Sequence, residues 1–360
     1  MQLIADRLNV SKYAVSQALS GKIGVSEATR QDVEAMARSL GYQYKPAKKA
    51  SIVEAALVSS QAEVRQANQA ENLDMNKAKP CVAIWIDESQ RYEPSFWSRV
   101  LDGAMRGCMD NGWKTEIHPY SRHLQKADLT NEAVKRISSY IGAIVIGTLP
   151  VSLLNKLVLQ QATHIPVILV DHEEPLIRAD CILNANLEAA QAACRHLLSQ
   201  SCKRILFVGK DHYSASFKDR WWGCRQAMDE SARQAEGYTL KKWTISYNQP
   251  NWEMQLAKRI GLLQQGELPD GFICANDAIA LTLLKLLQQQ QIVVPDQCKV
   301  IGIDNIDAGA SSEPPLTTVE LAKELLGNRA VEALARRLSH PSAYPEKIIL
   351  SERLIVRNSG

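Results

Sequence analysis

The sequence has no pair of cysteines at CxxC spacing, although it carries eight, at 81, 108, 181, 194, 202, 224, 274 and 298. That removes zinc-ribbon and thioredoxin-type readings. Several sit in apolar runs (Cys81, Cys274), which predicts buried, reduced thiols in a cytosolic chain. The seven histidines show no HExxH or other ligand spacing, so neither a metal site nor a cofactor is expected. No stretch reaches the ~18 apolar residues of a membrane span. Met1 leads straight into a charged amphipathic helix, so the chain is expected to be cytoplasmic, with no signal peptide and no membrane partner. The first strand-like segment runs on as WIDESQRYEPS, without a glycine-rich turn for a pyrophosphate, and there is no Walker sequence. No Ser-His-Asp or Cys-His pairing can be defended from spacing. The expectation is that the chain is not an enzyme.

An excess of one charge is also missing overall: the net charge is +3 over 360 residues. Its distribution says more. The first fifty residues hold eight basic and four acidic groups, which leaves the rest near neutral. A basic module on a near-neutral body points to a polyanionic partner for the module alone, the plain alternative being a solvated surface. The length exceeds one ordinary domain of roughly 100–200 residues, and two or three domains are expected.

Residues 2–40 read as three short helices. The first is Gln2 to Leu8, with Ile4, Ala5 and Leu8 on one face. Ser11 caps a second from Lys12 to Leu19, with Val15, Ala18 and Leu19 inward, and Ser20-Gly21 ends it. Ser26 caps a third from Glu27 to Leu40, with Val33, Met36, Ala37 and Leu40 at helical spacing. Residues 45–80 read as a Pro- and Lys-rich joint, an apolar segment (SIVEAALVSS) and a Gln/Asn/Ala-rich linker.

From residue 81 the pattern becomes short apolar strands alternating with amphipathic helices. The strands read as 81–86, 114–120, 142–148 and 166–171, then 204–209, 242–246, 271–276 and 299–304. Continuous apolar strands with crossover helices mean parallel sheet covered on both faces, as two α/β subdomains or one large sheet. The strands end in polar residues, among them Asp87-Glu88, Asp171-His172, Asn276-Asp277 and Asp304-Asn305. Ligands of open parallel sheets bind at the carboxyl ends of strands, so these groups are expected to line a cleft. Phe96, Trp97 and Trp252 are candidate aromatic faces for packing on the C–H groups of a bound ring, with ordinary core packing as the alternative for each.

Two short helices joined at Asn9-Val10, with small Ala5 at the crossing, fit a helix-turn-helix. The second would expose Lys12, Tyr13, Ser16 and Gln17, residue types suited to base edges and phosphates, while Ser11 could serve a phosphate or merely cap. IADRLNVSKYAVSQALSGK followed by VSEATRQDVEAMARSLGYQYKP resembles the DNA-binding headpiece of the lactose/galactose repressor (LacI/GalR) family. The likeness continues through Ser216-Phe-Lys-Asp-Arg220-Trp-Trp-Gly223, Cys274-Ala-Asn276-Asp277 with Ala280, Val300-Ile-Gly-Ile-Asp304-Asn305 and Pro314-Pro-Leu-Thr-Thr-Val319. These segments fall in the family's order and cover nearly the whole chain.

The resemblance implies a small all-α helix-turn-helix headpiece on an α/β core like the periplasmic binding proteins, with two doubly wound parallel-sheet subdomains joined by three crossovers. It also implies a transcription regulator, a repressor, acting as a homodimer. Its partners would be a pseudo-palindromic double-stranded DNA operator and a small effector, a sugar, held in the cleft. A sugar-binding protein of the same fold without DNA binding is the alternative. Carried over by position, Lys12, Tyr13 and Gln17 stand where the family reads bases. Ser11, Ser16, Ser26 and Thr29 stand where it touches phosphates. Arg220, Asn276 and Asp304 stand at effector positions, and Asp171 is a looser match. Asp277 and Thr317-Thr318 are expected to hold structure. The implied boundaries are 1–46 for the headpiece, 47–79 for hinge and linker, and 80–360 for the core. Within the core the N-subdomain would take about 80–183 and 319–343, and the C-subdomain about 184–316 and 344–360. The family's usual hinge motif is missing, with Val53 and Leu57 as candidates for its minor-groove wedge.

Overall fold

The structure is a computed structural model that describes residues 2–8, 10–20, 25–39, 79–91, 95–120, 137–159, 165–174, 177–232, 236–247, 249–263 and 267–360. The chain divides into two units, 1–78 and 79–360. Leu40, Val53 and Leu57 lie outside the described residues.

In the first unit α1 (Gln2–Leu8), α2 (Lys12–Ser20) and α3 (Glu27–Ser39) close around Ile4, Ala5, Val15, Ala18, Leu19, Val33 and Ala37, all buried. Both expected caps form. The Ser11 hydroxyl accepts the Ala14 amide at 3.1 Å, and the Ser26 hydroxyl accepts the Thr29 amide at 3.2 Å. Each satisfies an amide that the first turn of a helix leaves without an internal partner. The turn between α1 and α2 is held by the Val10 amide donating to the Ala5 carbonyl at 3.0 Å.

The second unit contains two six-stranded sheets. The strands are β1 (Cys81–Asp87), β2 (Lys114–Tyr120), β3 (Gly142–Ile146), β4 (Val167–Val170), β5 (Asp180–Asn184), β6 (Arg204–Val208), β7 (Thr239–Trp243), β8 (Gly271–Cys274), β9 (Lys299–Asp304), β10 (Thr317–Glu320), β11 (Lys347–Leu350) and β12 (Arg353–Ile355). The first sheet runs β11-β5-β4-β3-β1-β2 and the second β12-β10-β9-β8-β6-β7. All neighbours are parallel except β10 and β12. β3, β4 and β8 are buried at every residue, which is why they read as continuous apolar runs. In each sheet the order reverses beside its first strand, at β1/β3 and at β6/β8. Such switch points open a crevice beyond the carboxyl ends of the strands.

Sheet membership differs from the expected boundaries at two places. β10 lies in the second sheet although 319–343 was expected in the N-subdomain, and β11 lies in the first although 344–360 was expected in the C-subdomain. The chain therefore crosses near 185, 321–322 and 351–352. The Ala185 amide donates to the Leu350 carbonyl at 2.9 Å, which fastens the first crossing to the third. β7 is placed three residues earlier than its apolar pattern suggested, because Thr239–Trp243 is a polar edge strand. The eight cysteines are free thiols, seven of them buried, and burial pushes Cys108, Cys194 and Cys298 up to about 12.

The helices Trp97–Asp110 and Lys323–Ser339 cross at a pair of glycines. A methyl group on Gly103 would stand 2.0 Å from the Glu324 carbonyl oxygen, and one on Gly327 2.0 Å from that of Val100. Only backbone fits there. Gly327→Ala is expected to cost at least about 1–3 kcal/mol of stability. Gly261→Ala, at a helical position with nothing within 4 Å, should be neutral or stabilising by up to ~1 kcal/mol. Urea unfolding of the two variants checks this, and equal stabilities would contradict the close crossing.

Candidate functional site

A cavity of about 440 Å³ opens between the two sheets of the second unit. The first sheet contributes Asp87 at the end of β1, Thr148 after β3 and Asp171 after β4. The second contributes Asn276 after β8 and Asp304 at the end of β9. One residue of each polar strand end predicted from the sequence thus faces the same cavity, while Glu88, His172, Asp277 and Asn305 do not line it. Asp171, Asp304 and the adjoining Asn305 take unusual backbone, with φ 52°, 129° and 51°. The left-handed region is uncommon for residues other than glycine, and such strain gathers at functional sites.

Arg220 lies at the centre, 3% exposed. It projects from the helix Ala215–Ala232, whose first turn is capped by the Ser214 hydroxyl accepting the Phe217 amide at 3.2 Å. Its Nε donates to the Asn186 side chain at 2.9 Å, one terminal nitrogen to the Ala275 carbonyl, and the other to Asp304 Oδ1 at 3.2 Å. A planar guanidinium can serve three acceptors from three segments at once; a lysine could not hold them in this geometry. Burial pushes the Asp304 carboxyl up to about 7 against the opposing pull of Arg220, and burial likewise pushes Asp171 up to about 6.

Phe96 and Trp97 line the cavity on one side, packed edge to face at 4.9 Å. The facing aromatic group is Tyr213, Phe217 and Tyr247. These three were not singled out from the sequence, although Phe217 stands three residues before Arg220 on the same helical face, a spacing that could have drawn attention to it. Trp252, expected as a stacking surface, is not among the lining residues. It sits behind Tyr247, with ring centroids 5.3 Å apart, and packs on the core. Asn276 lines the cavity, but its side-chain oxygen caps the helix Asp277–Gln289 by accepting the Ile279 amide at 3.0 Å. Asp277 is structural: buried, it accepts the Thr318 hydroxyl at 2.6 Å and the Ile306 amide at 2.9 Å.

In the first unit Ser11, Lys12, Tyr13, Ser16 and Ser26 are exposed, and Gln17 and Thr29 are half-buried. Tyr13, 73% exposed, is far above what a tyrosine with a core role would show. Lys12, Tyr13, Ser16 and Gln17 share the outer face of α2, opposite Val15, Ala18 and Leu19.

A three-helix unit with a polar outer helix face, and a two-sheet core with a cleft at both switch points, define a helix-turn-helix protein with a periplasmic-binding-protein-like core. The model for "Bacterial regulatory proteins, lacI family" matches residues 1–44, and that for "Periplasmic binding protein-like domain" matches residues 194–360. By these matches the chain is similar to the lacI family at its N-terminal helices and in the second part of its core.

A "HTH-type transcriptional repressor PurR" of Glaesserella parasuis is 28% identical over 211 residues, 57% of this chain and 61% of the relative. A "HTH-type transcriptional regulator GalR" of Lacticaseibacillus casei is 26% identical over 239 residues, 66% of this chain and 71% of the relative. The alignment thus spans about three fifths of the length of the first of these. Among solved structures, the lac repressor dimer bound to operator and the anti-inducer ONPF superposes with a TM-score of 0.65 at 19% identity, over 99% of this chain and 97% of that one. A LacI family regulator from Enterococcus faecium with bound ribose gives 0.64 at 20% identity, over 78% and 98%. These likenesses show the fold.

The Asp171 carboxyl has a testable signature. Its ordinary value is 3.8 and its folded value about 6, so the folded state holds a proton there that the unfolded state has lost. This group therefore takes stability away as pH rises from about 4 to about 6, and the loss is complete above that. Asn tolerates the left-handed backbone at this position. The stability of Asp171→Asn relative to the parent should rise across that window and level off beyond it. A difference constant from pH 4 to 8 would contradict the burial of this carboxylate.

Proposed function

We propose that this protein is a sequence-specific DNA-binding transcription regulator, a repressor, that acts as a homodimer in the cytoplasm. A small ligand, a sugar, bound in the cleft modulates its operator affinity. One observation carries the reading: a helix-turn-helix with Lys12, Tyr13, Ser16 and Gln17 outward belongs to the same chain as a cleft organised around the buried Arg220. Similarity to relatives named as transcriptional repressors and regulators supports it, as do solved structures of the same fold that carry ribose and cellobiose. No helix among the described residues is long and apolar enough to cross a membrane.

In this reading α2 of each protomer enters a major groove of a pseudo-palindromic operator. Gln17 can pair with adenine and Lys12 with guanine or phosphate, while Ser11, Ser16, Ser26 and Thr29 hold phosphates and Tyr13 packs on the groove. Phe96, Trp97, Asp171, Arg220, Asn276 and Asp304 hold the effector, and Trp252 supports Tyr247 from behind. No catalytic step is assigned to these residues. Ligand shifts the open–closed equilibrium of the two subdomains by binding one state better, and DNA affinity shifts with it.

Gln17→Ala should cost about 1–3 kcal/mol of operator binding and relax preference at one base pair of each half-site. Lys12→Ala should weaken binding and, if its partner is a phosphate, lower the salt slope by about one. Arg220→Ala should abolish the ligand response and spare DNA binding. Fluorescence anisotropy with labelled duplexes reads all three. A Gln17→Ala protein with unchanged base preference would refute the recognition-helix assignment, and a normally responsive Arg220→Ala protein would refute the cleft assignment.

A further inference from the structure

The charges around the cleft balance on one side of it only. On the second half and the crossing beside it, Asp277, Asp304, Arg220 and Lys323 are each at most 8% exposed. Asp304 accepts from Arg220 at 3.2 Å, and Asp277 accepts the Thr318 hydroxyl and the Ile306 amide. The Lys323 ammonium donates to the carbonyls of Asp304, Asn305 and Leu321. Two carboxylates thus meet two cations. The first half brings a further carboxylate. Asp171, after β4, lines the same cavity and accepts Asn184 Nδ2 at 3.3 Å. Asn186 stands between the halves: its side chain bonds Asp171, and its oxygen accepts the Arg220 Nε at 2.9 Å. Arg220 has N–H groups left beyond those on Asn186, Ala275 and Asp304. Asp171 and Asp304 therefore act on one guanidinium from opposite halves.

With the halves together and every group ionised, three carboxylates face two cations. One negative charge is left without a counter-ion, where removal from water makes charge costly. A proton removes the excess. With one proton on the Asp171–Asp304 pair, the other carboxylate has the guanidinium to itself. With none, one carboxylate is better placed in water, and parting the halves puts it there. Burial raises Asp304 to about 7 and Asp171 to about 6, and raises Asp277 as well.

The neighbouring groups do not supply the missing positive charge. Asp219 faces Asp171 from the helix Ala215–Ala232, and Glu188, Glu173 and the exposed Lys218 act on Asp219 in turn. Glu173 is paired with Lys347. Asp87, held by the amide and hydroxyl of Ser89, adds another carboxylate to the cavity wall. Arg99 and Glu324, paired with each other, act on Lys323 with opposite signs. His172 follows Asp171 in the chain and is buried, so its titration has to be told apart from that of the pair.

We propose that the cleft is a proton-linked switch: one proton taken up between Asp171 and Asp304 holds the two halves closed on Arg220, and its release toward alkaline pH lets them part. Closing is what makes the pair bind its proton, so low pH favours the closed arrangement. No ligand is required, and the switch stands whether or not the cleft holds an effector.

Double electron–electron resonance on the full chain reads the gap. Spin labels go on Val151→Cys, beyond β3 on the first half, and His212→Cys, beyond β6 on the second, both at exposed positions. Cys81→Ser removes the native thiol that is not buried, and excess unlabelled chain restricts the signal to distances within one chain. A proton bound with the Asp304 value of about 7 when closed, and absent when open, raises the closed-to-open ratio about fourfold between about pH 8.5 and about pH 6.5. The distance distribution should move toward shorter values accordingly. Asp304→Asn and Asp171→Asn each remove the excess negative charge, so each should stay at the short distance at both pH values; either one suffices if its thermal melt is normal. His172→Gln should keep the parent's pH dependence. A parent distribution that does not change, or that shortens toward alkaline pH, would overturn the proposal. So would a pH dependence that survives in the Asn variants or disappears in His172→Gln.

Discussion

A guanidinium sealed from water needs acceptors around it, because an unpaired charge in that position would cost several kcal/mol. Arg220 places one bond from each of its three nitrogens on a different segment: the start of the helix after the first crossing at Asn186, Ala275 just after β8 and the end of β9 at Asp304. The second half of the cleft is thereby fixed around one side chain. The positive-φ turn at Asp304 and Asn305 is supported from the other side by Lys323, whose ammonium donates to the carbonyls of both residues. Lys323 begins the helix that follows the second crossing and packs against the first sheet. Burial pulls its pKa down, against the opposing pull of the Asp304 carboxylate.

This arrangement suggests where motion is permitted. The two sheets are joined by three short crossings near 185, 321–322 and 351–352, and strands on either side are well packed. Hinges are commonly a few residues at the ends of elements. A ligand that bridges Asp87 and Asp171 on one side to the Arg220–Asp304 pair on the other would favour the closed state in proportion to its extra contacts there. Arg99 adds a link between the halves, reaching Asp307 of the second at 3.6 Å while paired with Glu324.

Much of the fold could be read from the sequence because its parts obey local rules. Ser11 and Ser26 cap as their positions dictate, and the continuous apolar runs at β3, β4 and β8 mark strands buried on both faces. Arg220, Asn276 and Asp304 were legible through spacing shared with a family, and Asp171 through its place at the end of a strand. The short strands β5, β10, β11 and β12 were not, since three to five residues such as DCILN or RLI carry no readable period. Their absence from the reading also misplaced two crossings. Tyr213 and Tyr247 reach the cleft from loops after β6 and β7, a juxtaposition made only by tertiary structure. Trp252 failed for the complementary reason: a tryptophan that supports a lining residue and one that lines the cavity look the same in sequence.

The claim on which the account rests is that occupancy of the Arg220 cleft controls sequence-specific DNA binding. The most direct measurement is selection of duplexes from a random pool by the full chain at moderate salt, run in parallel with and without a sugar that binds the cleft. The account predicts a pseudo-palindromic motif whose enrichment differs strongly between the two conditions. No motif in either condition, or the same motif equally enriched in both, would contradict it.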